Sequence, residues 1–304
     1  MSLASLLSPI QATHTLLTSR VVHQSLYPYT LFTTLHAIRV TVAFQNNVRA
    51  SSNKGKLTWG NYISGYLIMA WGGSFIAHLL MSLPPPILYN YQPYVNYISV
   101  HLLATAFFHV YPNALDMQIL DSLFTPLDAI LRSTAVASHL RILTSGALPP
   151  THAPMVISSI TPILIGAIAA SGGGVLAGTM KTWTNDWSFG TFSIFKIGVG
   201  MLGSTDVWSG GLAGFLFTFL TRPTLYPALV KLTGITLAKA EDESKLPIQI
   251  MSPGHAQAVT TLVLIGVFSW KTFNVHYLPR AKVAAKKVVE SKSEKQPKSP
   301  TKKQ

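Results

Sequence analysis

A chain of 304 residues that is 48% hydrophobic and only 11% charged, with a mean hydropathy of +0.35, lies far below the ~25% charged residues of soluble domains, and this argues against a single water-soluble core. The formal charge of +13 comes from 23 basic against 10 acidic residues, and there is no cysteine, so disulfides, thiolate metal sites and a cysteine nucleophile are excluded.

Residues 1–25 lack a basic leader and a small-residue cleavage site, and read as an N-terminal segment holding a short helix near the membrane rather than a cleaved signal. From there the chain carries seven apolar stretches near the ~20 residues that a membrane-crossing helix needs. The first, Leu26 to Phe44, is broken chemically by His36 and Arg39. The second, Tyr62 to Leu83, carries Trp71-Gly72-Gly73-Ser74 and stops at Pro84-Pro85-Pro86. The third, Val95 to Tyr111, follows a tyrosine-rich loop of the kind found at membrane interfaces. The fourth, Ile119 to Leu143, is too polar to meet lipid on every side. The fifth, Pro154 to Met180, carries Ser171-Gly172-Gly173-Gly174. The sixth, Ile197 to Leu220, contains Asp206 and several glycines, and the seventh, Ala256 to Phe273, leads into the tail.

Beyond it, residues 276–304 hold Arg280, Lys282, Lys286, Lys287, Lys292, Lys295, Lys298, Lys302 and Lys303 against Glu290 and Glu294. Such a run directly after an apolar segment reads as a solvated tail held by anionic lipid on a cytosolic face, with no nucleic acid as partner. An odd number of spans then leaves the N-terminus lumenal. Arg49, Lys54 and Lys56 fall on the cytosolic side with Lys181 and Lys196, whereas Arg222, Lys231, Lys239 and Lys245 fall on the other.

Glycine runs at corresponding places of two apolar segments point to an inverted-repeat, all-α polytopic membrane protein whose interrupted helices flank a pathway. Gly72, Gly73, Gly172, Gly173 and Gly174 are the expected hinges, with Ser74 and Ser171 beside them. The fourth stretch supplies the charge. Asp121, Asp128, Arg132 and His139 are spaced by seven, four and seven residues and fall within about 40° on a helical wheel. Charged groups at membrane depth face a bundle interior or water, so this stripe is the candidate ion pathway. The opposing reading is a structural pair of Asp128 with Arg132 at i,i+4. His78 fits a packing histidine or a pathway residue. Asp206 fits a coordinating group or a helix cap. No nucleophile with its base and no metal-spaced set stands out, so no enzyme is expected and no cofactor.

Several stretches in register resemble the trimeric intracellular cation channel family: Tyr27 to Phe32, Tyr66 to Pro86, Ala106 to Pro112 with Asp116 downstream, and Ile163 through the glycines to Trp183 and Trp187. The resemblance covers about residues 26 to 220. It implies a channel domain over 26–275 made of seven transmembrane helices, as two inverted three-helix repeats (about 26–112 and 119–220) plus a final helix (256–273). It further implies a homotrimer with one pore per protomer in the endoplasmic reticulum or another intracellular membrane. Potassium would be the permeant ion, carrying counter-ion current against calcium movement. Animal members carry a Lys-Glu-Val motif on the fourth helix that binds phosphoinositide. Here Arg132 matches its lysine, Val136 replaces the following arginine and Ala170 replaces the basic residue before the fifth-helix glycines. Arg132 is thus the position left for phosphoinositide. The residues leave two other readings open: a secondary transporter using intramembrane Asp and His, and a non-conducting membrane scaffold acting through its tail.

Overall fold

The computed structural model describes residues 3–51, 57–234 and 249–279. The acidic run Glu241 to Glu243 and the basic tail from Arg280 onward lie outside them. The architecture is helical, with a small antiparallel pair, β1 (Val21–His23) and β2 (Tyr27–Thr30), near the start. Ahead of the pair stands α1 (Leu3–Ser19), and after it come α2 (Leu31–Ala50), α3 (Trp59–Leu80), α4 (Gln92–Val110) and α5 (Met117–Thr144). The second part holds α6 (Ala153–Ile157), α7 (Thr161–Met180), α8 (Gly200–Gly203), α9 (Thr205–Thr221), α10 (Pro227–Thr233) and α11 (Pro253–Thr272), which runs on into a π turn, Phe273–Tyr277.

Local chemistry sets the starts and stops. Thr30, Thr58, Asp116 and Ser252 each accept a backbone N–H from the first turn of α2, α3, α5 and α11, satisfying donors that a helix start leaves unpaired. The end of α3 is followed by Ser82 at φ 54° and the proline run, and α7 ends at Lys181 in the left-handed region. Each of the seven apolar stretches overlaps a long helix, α2, α3, α4, α5, α7, α9 or α11, although the first also takes in β2, the fifth α6 and the sixth α8. Among the described residues, α3, α7 and α11 with its π turn are long and apolar enough to cross a membrane.

Two buried apolar clusters divide the molecule. Ala37, Phe44, Val48, Tyr66, Trp71, Tyr97 and Val100 knit α2, α3 and α4 together, while Ala129, Val136, Leu140, Ile165, Ala213, Phe217, Leu264 and Phe268 join α5, α7, α9 and α11. The N-terminal segment is helical, as its sequence suggests. Helix α1 docks on α11 and α5, burying Leu7 and Leu17, with His14 hydrogen-bonded to Thr134 at 3.0 Å and Thr261 at 2.9 Å.

The glycine runs also behave differently from the interruptions expected. Helices α3 and α7 are continuous through them, because the freed space is filled by the other helix. A Cβ on Gly173 would lie 2.2 Å from the Met69 carbonyl oxygen, one on Gly73 2.6 Å from that of Ile168, and one on Gly172 2.8 Å from the Gly73 Cα. Gly65 abuts Thr182 further along, so the two helices cross antiparallel with their backbones in contact, as small residues permit. Gly166, Gly210 and Gly214 make a second such crossing between α7 and α9.

Candidate functional site: a charged cavity between the helices

Around the first crossing lies a cavity of about 870 Å³ bordered by α2, α3, α5, α7, α9 and α11. Its lining includes every residue of the expected stripe, Asp121, Asp128, Arg132 and His139, together with Ser74, Ser171, Gly73, Gly173 and Gly174. The wheel geometry of α5 explains this, since one face of a helix can border only one space. Gly72 faces Leu176 and Gly173 in the crossing instead, and Gly174 has nothing within 4 Å of where a Cβ would stand.

The charges in the cavity are paired across helices. Arg39 on α2 reaches both aspartates of α5: its Nε donates to Asp128 Oδ1 at 2.9 Å, and its Nη2 donates to Asp128 Oδ2 at 2.9 Å and to Asp121 Oδ1 at 3.1 Å. The second oxygen of Asp121 meets His276 Nε2, carried on the π turn, at 2.9 Å. A second group forms around Asp206 on the first turn of α9. Its two oxygens take Arg132 Nη2 at 2.8 Å and Lys271 Nζ at 2.6 Å. Arg132 also donates through Nη1 to the Ala170 carbonyl at 2.9 Å and lies over the Phe268 ring.

Two sequence readings are corrected by these contacts. The i,i+4 pair of Asp128 with Arg132 does not form, because each has a stronger bidentate or shared partner on another helix. Read from α5 alone, Asp121 and Asp128 against Arg132 leave the stripe slightly acidic, and that excess also disappears. With Arg39, Lys271 and Asp206 added, three basic side chains face three carboxylates, and His276 is the remaining titratable partner. Side-chain exposures of 17% to 34% for Arg39, the aspartates, Arg132 and Lys271 keep the network within reach of cavity water, so it is not a dry ion cluster.

The small polar residues have more local duties. His139 donates from Nδ1 to the Ala135 carbonyl at 2.8 Å, which leaves Nε2 to accept from Ser74 Oγ at 3.2 Å. His78 binds the Ser74 carbonyl through Nδ1 and packs edge-to-face on His139. Ser171 donates to the Ala167 carbonyl of its own helix at 2.7 Å.

Sequence reasoning found the α5 stripe but left out Arg39, Lys271 and His276 as site residues, and it held Asp206 between a cap and a coordinating role. The signal for Arg39 was present, since a guanidinium inside an apolar stretch requires a partner. Nothing in the spacing says that the partner lies three helices further along the chain, on α5.

No family model matches the chain, and no curated protein matches it. Among solved structures, a crystal structure of a prokaryotic TRIC channel in 0.5 M KCl is similar at 19% identity with a TM-score of 0.43, covering 78% of this chain and 94% of that one.

Proposed function

We propose that this chain is a monovalent cation channel of an intracellular membrane, with potassium as its permeant ion. The cavity carries the reading: a space of about 870 Å³, lined by small residues and paired charges, lies between helices of which three are apolar enough to cross a bilayer. A pore needs few charges and a wetted wall, so that ions shed only part of their hydration. Outward-facing Leu103, Phe107, Leu123 and Leu164 suit contact with lipid tails. In this reading the long helices form two inverted repeats, α2 to α4 and α5, α7 and α9, with α11 last. Homotrimer assembly, residence in the endoplasmic reticulum and a counter-ion role against calcium movement complete the proposal.

Phosphoinositide at Arg132 would have to displace Asp206, since the guanidinium is already shared between that carboxylate and the Ala170 carbonyl. The proposed protein–lipid contact is therefore placed at the basic tail.

Single-channel recording of the purified full chain in planar bilayers under asymmetric potassium chloride tests the channel. Discrete openings with a cation-directed reversal potential are expected. Changing Asp121 and Asp128 together to Asn should move the reversal toward anions, because Arg39 then lacks its countercharge. Silence from folded, inserted protein would sink the reading. A proton-linked transporter is the second reading, favoured by the titratable His276 against Asp121; saturable uptake driven by a pH gradient, without unitary currents, would establish it instead.

A further inference from the structure

Arg39 differs from the other basic residues of the cavity in how it is held. It sits in the middle of α2, reaches across to α5 and ties together two carboxylates placed two helical turns apart. Its Nη2 bridges Asp121 and Asp128, so the guanidinium fills the space between them. Nη1 is buried and has no acceptor among the described residues. A guanidinium kept for stability alone normally has every buried donor satisfied, because a desolvated N–H without an acceptor offsets part of what the ion pair contributes. Arg39 is thus bound tightly by one edge and left unsatisfied at another. Such an arrangement lowers the cost of leaving.

The place it occupies is also the one a mobile cation would seek. Asp121 and Asp128 supply acceptor oxygens on the cavity wall, and the third carboxylate, Asp206, is already shared by Arg132 and Lys271. We propose that Arg39 is an autoinhibitory tethered cation: its guanidinium occupies the Asp121–Asp128 pair in the closed form, and current flows when that contact opens. This rests on the channel reading above and adds to it the identity of the blocking group.

The test is the full-length protein in planar bilayers under asymmetric potassium chloride, wild type against Arg39→Gln at matched protein density. Loss of the tether should raise mean potassium current about ten-fold, equivalent to ~1.4 kcal/mol of closed-state stabilisation. Guanidinium chloride added to the Arg39→Gln channel should then block it in a concentration-dependent way, by refilling the vacated place, while the wild type responds little. Arg39→Gln strands two carboxylates, so the triple variant Arg39→Gln/Asp121→Asn/Asp128→Asn serves if the single variant fails to fold. It should show the same rise in current, weaker cation preference and no guanidinium block. Equal currents from wild type and whichever variant folds, or a rise in Arg39→Gln current that guanidinium cannot reverse, would overturn the autoinhibition and leave the channel standing. Folded wild type and triple variant that both stay silent would overturn the channel reading and the inhibition with it.

Discussion

The α3–α7 crossing and the ion-pair cavity lie side by side and share Gly73 and Gly173 on their borders, yet they are held together by opposite physics. At the crossing the backbones touch, Gly173 against Met69 and Gly73 against Ile168, and only uncharged side chains such as Leu176 pack beside them. In the cavity the helices stand apart, and long charged side chains span the gap. Small residues in an apolar segment therefore carry two meanings here, a contact on one side of the helix and an open wall on the other. The neighbouring glycines of α7 separate these meanings within a single turn.

The sharpest way to break that comparison is to add one methyl group to each of two adjacent glycines. Gly173→Ala puts a Cβ 2.2 Å from the Met69 carbonyl oxygen, a backbone atom that cannot step aside. Forcing the helices apart should cost about 3 kcal/mol or more, outweighing the ~1 kcal/mol that alanine gains over glycine in a helix. Gly174→Ala meets nothing within 4 Å, so the helix-propensity gain stands alone and the variant should be slightly more stable than wild type. Thermal unfolding in detergent reads both. Equal melting shifts for the two variants would mean that the crossing is not in backbone contact.

On the cavity side the largest effect is expected from Asp206→Ala, which strands Arg132 and Lys271 together. A fully buried pair broken this way would lose 3–5 kcal/mol, but the 34% exposure of the aspartate lets water screen the remaining cations, so about 2 kcal/mol is expected. Lys271→Met should restore part of the loss in the double variant, and a double-mutant cycle on melting temperature measures the coupling. Strictly additive effects would show that the two side chains do not share Asp206.

A third effect, about 1 kcal/mol, is expected where α1 is pinned. Gln257 accepts from Arg141 at 2.9 Å and donates toward His14 at 3.1 Å, linking α1, α5 and α11. Gln257→Leu removes these bonds in a buried setting and should release α1 first, seen as faster hydrogen exchange within Leu3–Ser19 while α3 and α7 stay protected. Unchanged exchange in α1 would place its anchorage in Leu7 and Leu17 instead.

Much of this fold can be read from the chain because apolar length and helix starts are local properties. The seven long helices follow from runs of apolar residues, and four of them, α2, α3, α5 and α11, are capped at their starts by Thr30, Thr58, Asp116 and Ser252. The wheel of α5 also brought Asp121, Asp128, Arg132 and His139 to one space. What could not be read is partner choice. Arg39 reads in sequence only as a break in the first apolar stretch, Lys271 is a lone cation near the end of the seventh, and His276 falls at the start of the tail, since only tertiary packing sets α2 and α11 against α5. The glycine runs misled for a related reason. A glycine that weakens an isolated helix is indistinguishable in sequence from one that lets a second helix approach.

The smallest expected effect separates the two serines that flank the glycines. Ser74 Oγ reaches across to His139 on α5, whereas Ser171 Oγ returns to Ala167 on its own helix, a bond that adds little because that carbonyl is already a helix acceptor. Ser171→Ala should therefore shift stability by no more than about 0.5 kcal/mol, and Ser74→Ala by about 1 kcal/mol, with both variants folded. Both hydroxyls line the same cavity, so their effects on unitary current need not follow their effects on stability. If Ser171→Ala lowers conductance at unchanged melting temperature, its oxygen contacts the moving ion despite the back-bond. If conductance falls only in Ser74→Ala, the ion path follows the α3–α5 side of the cavity, where His139 and the Arg39 tether lie.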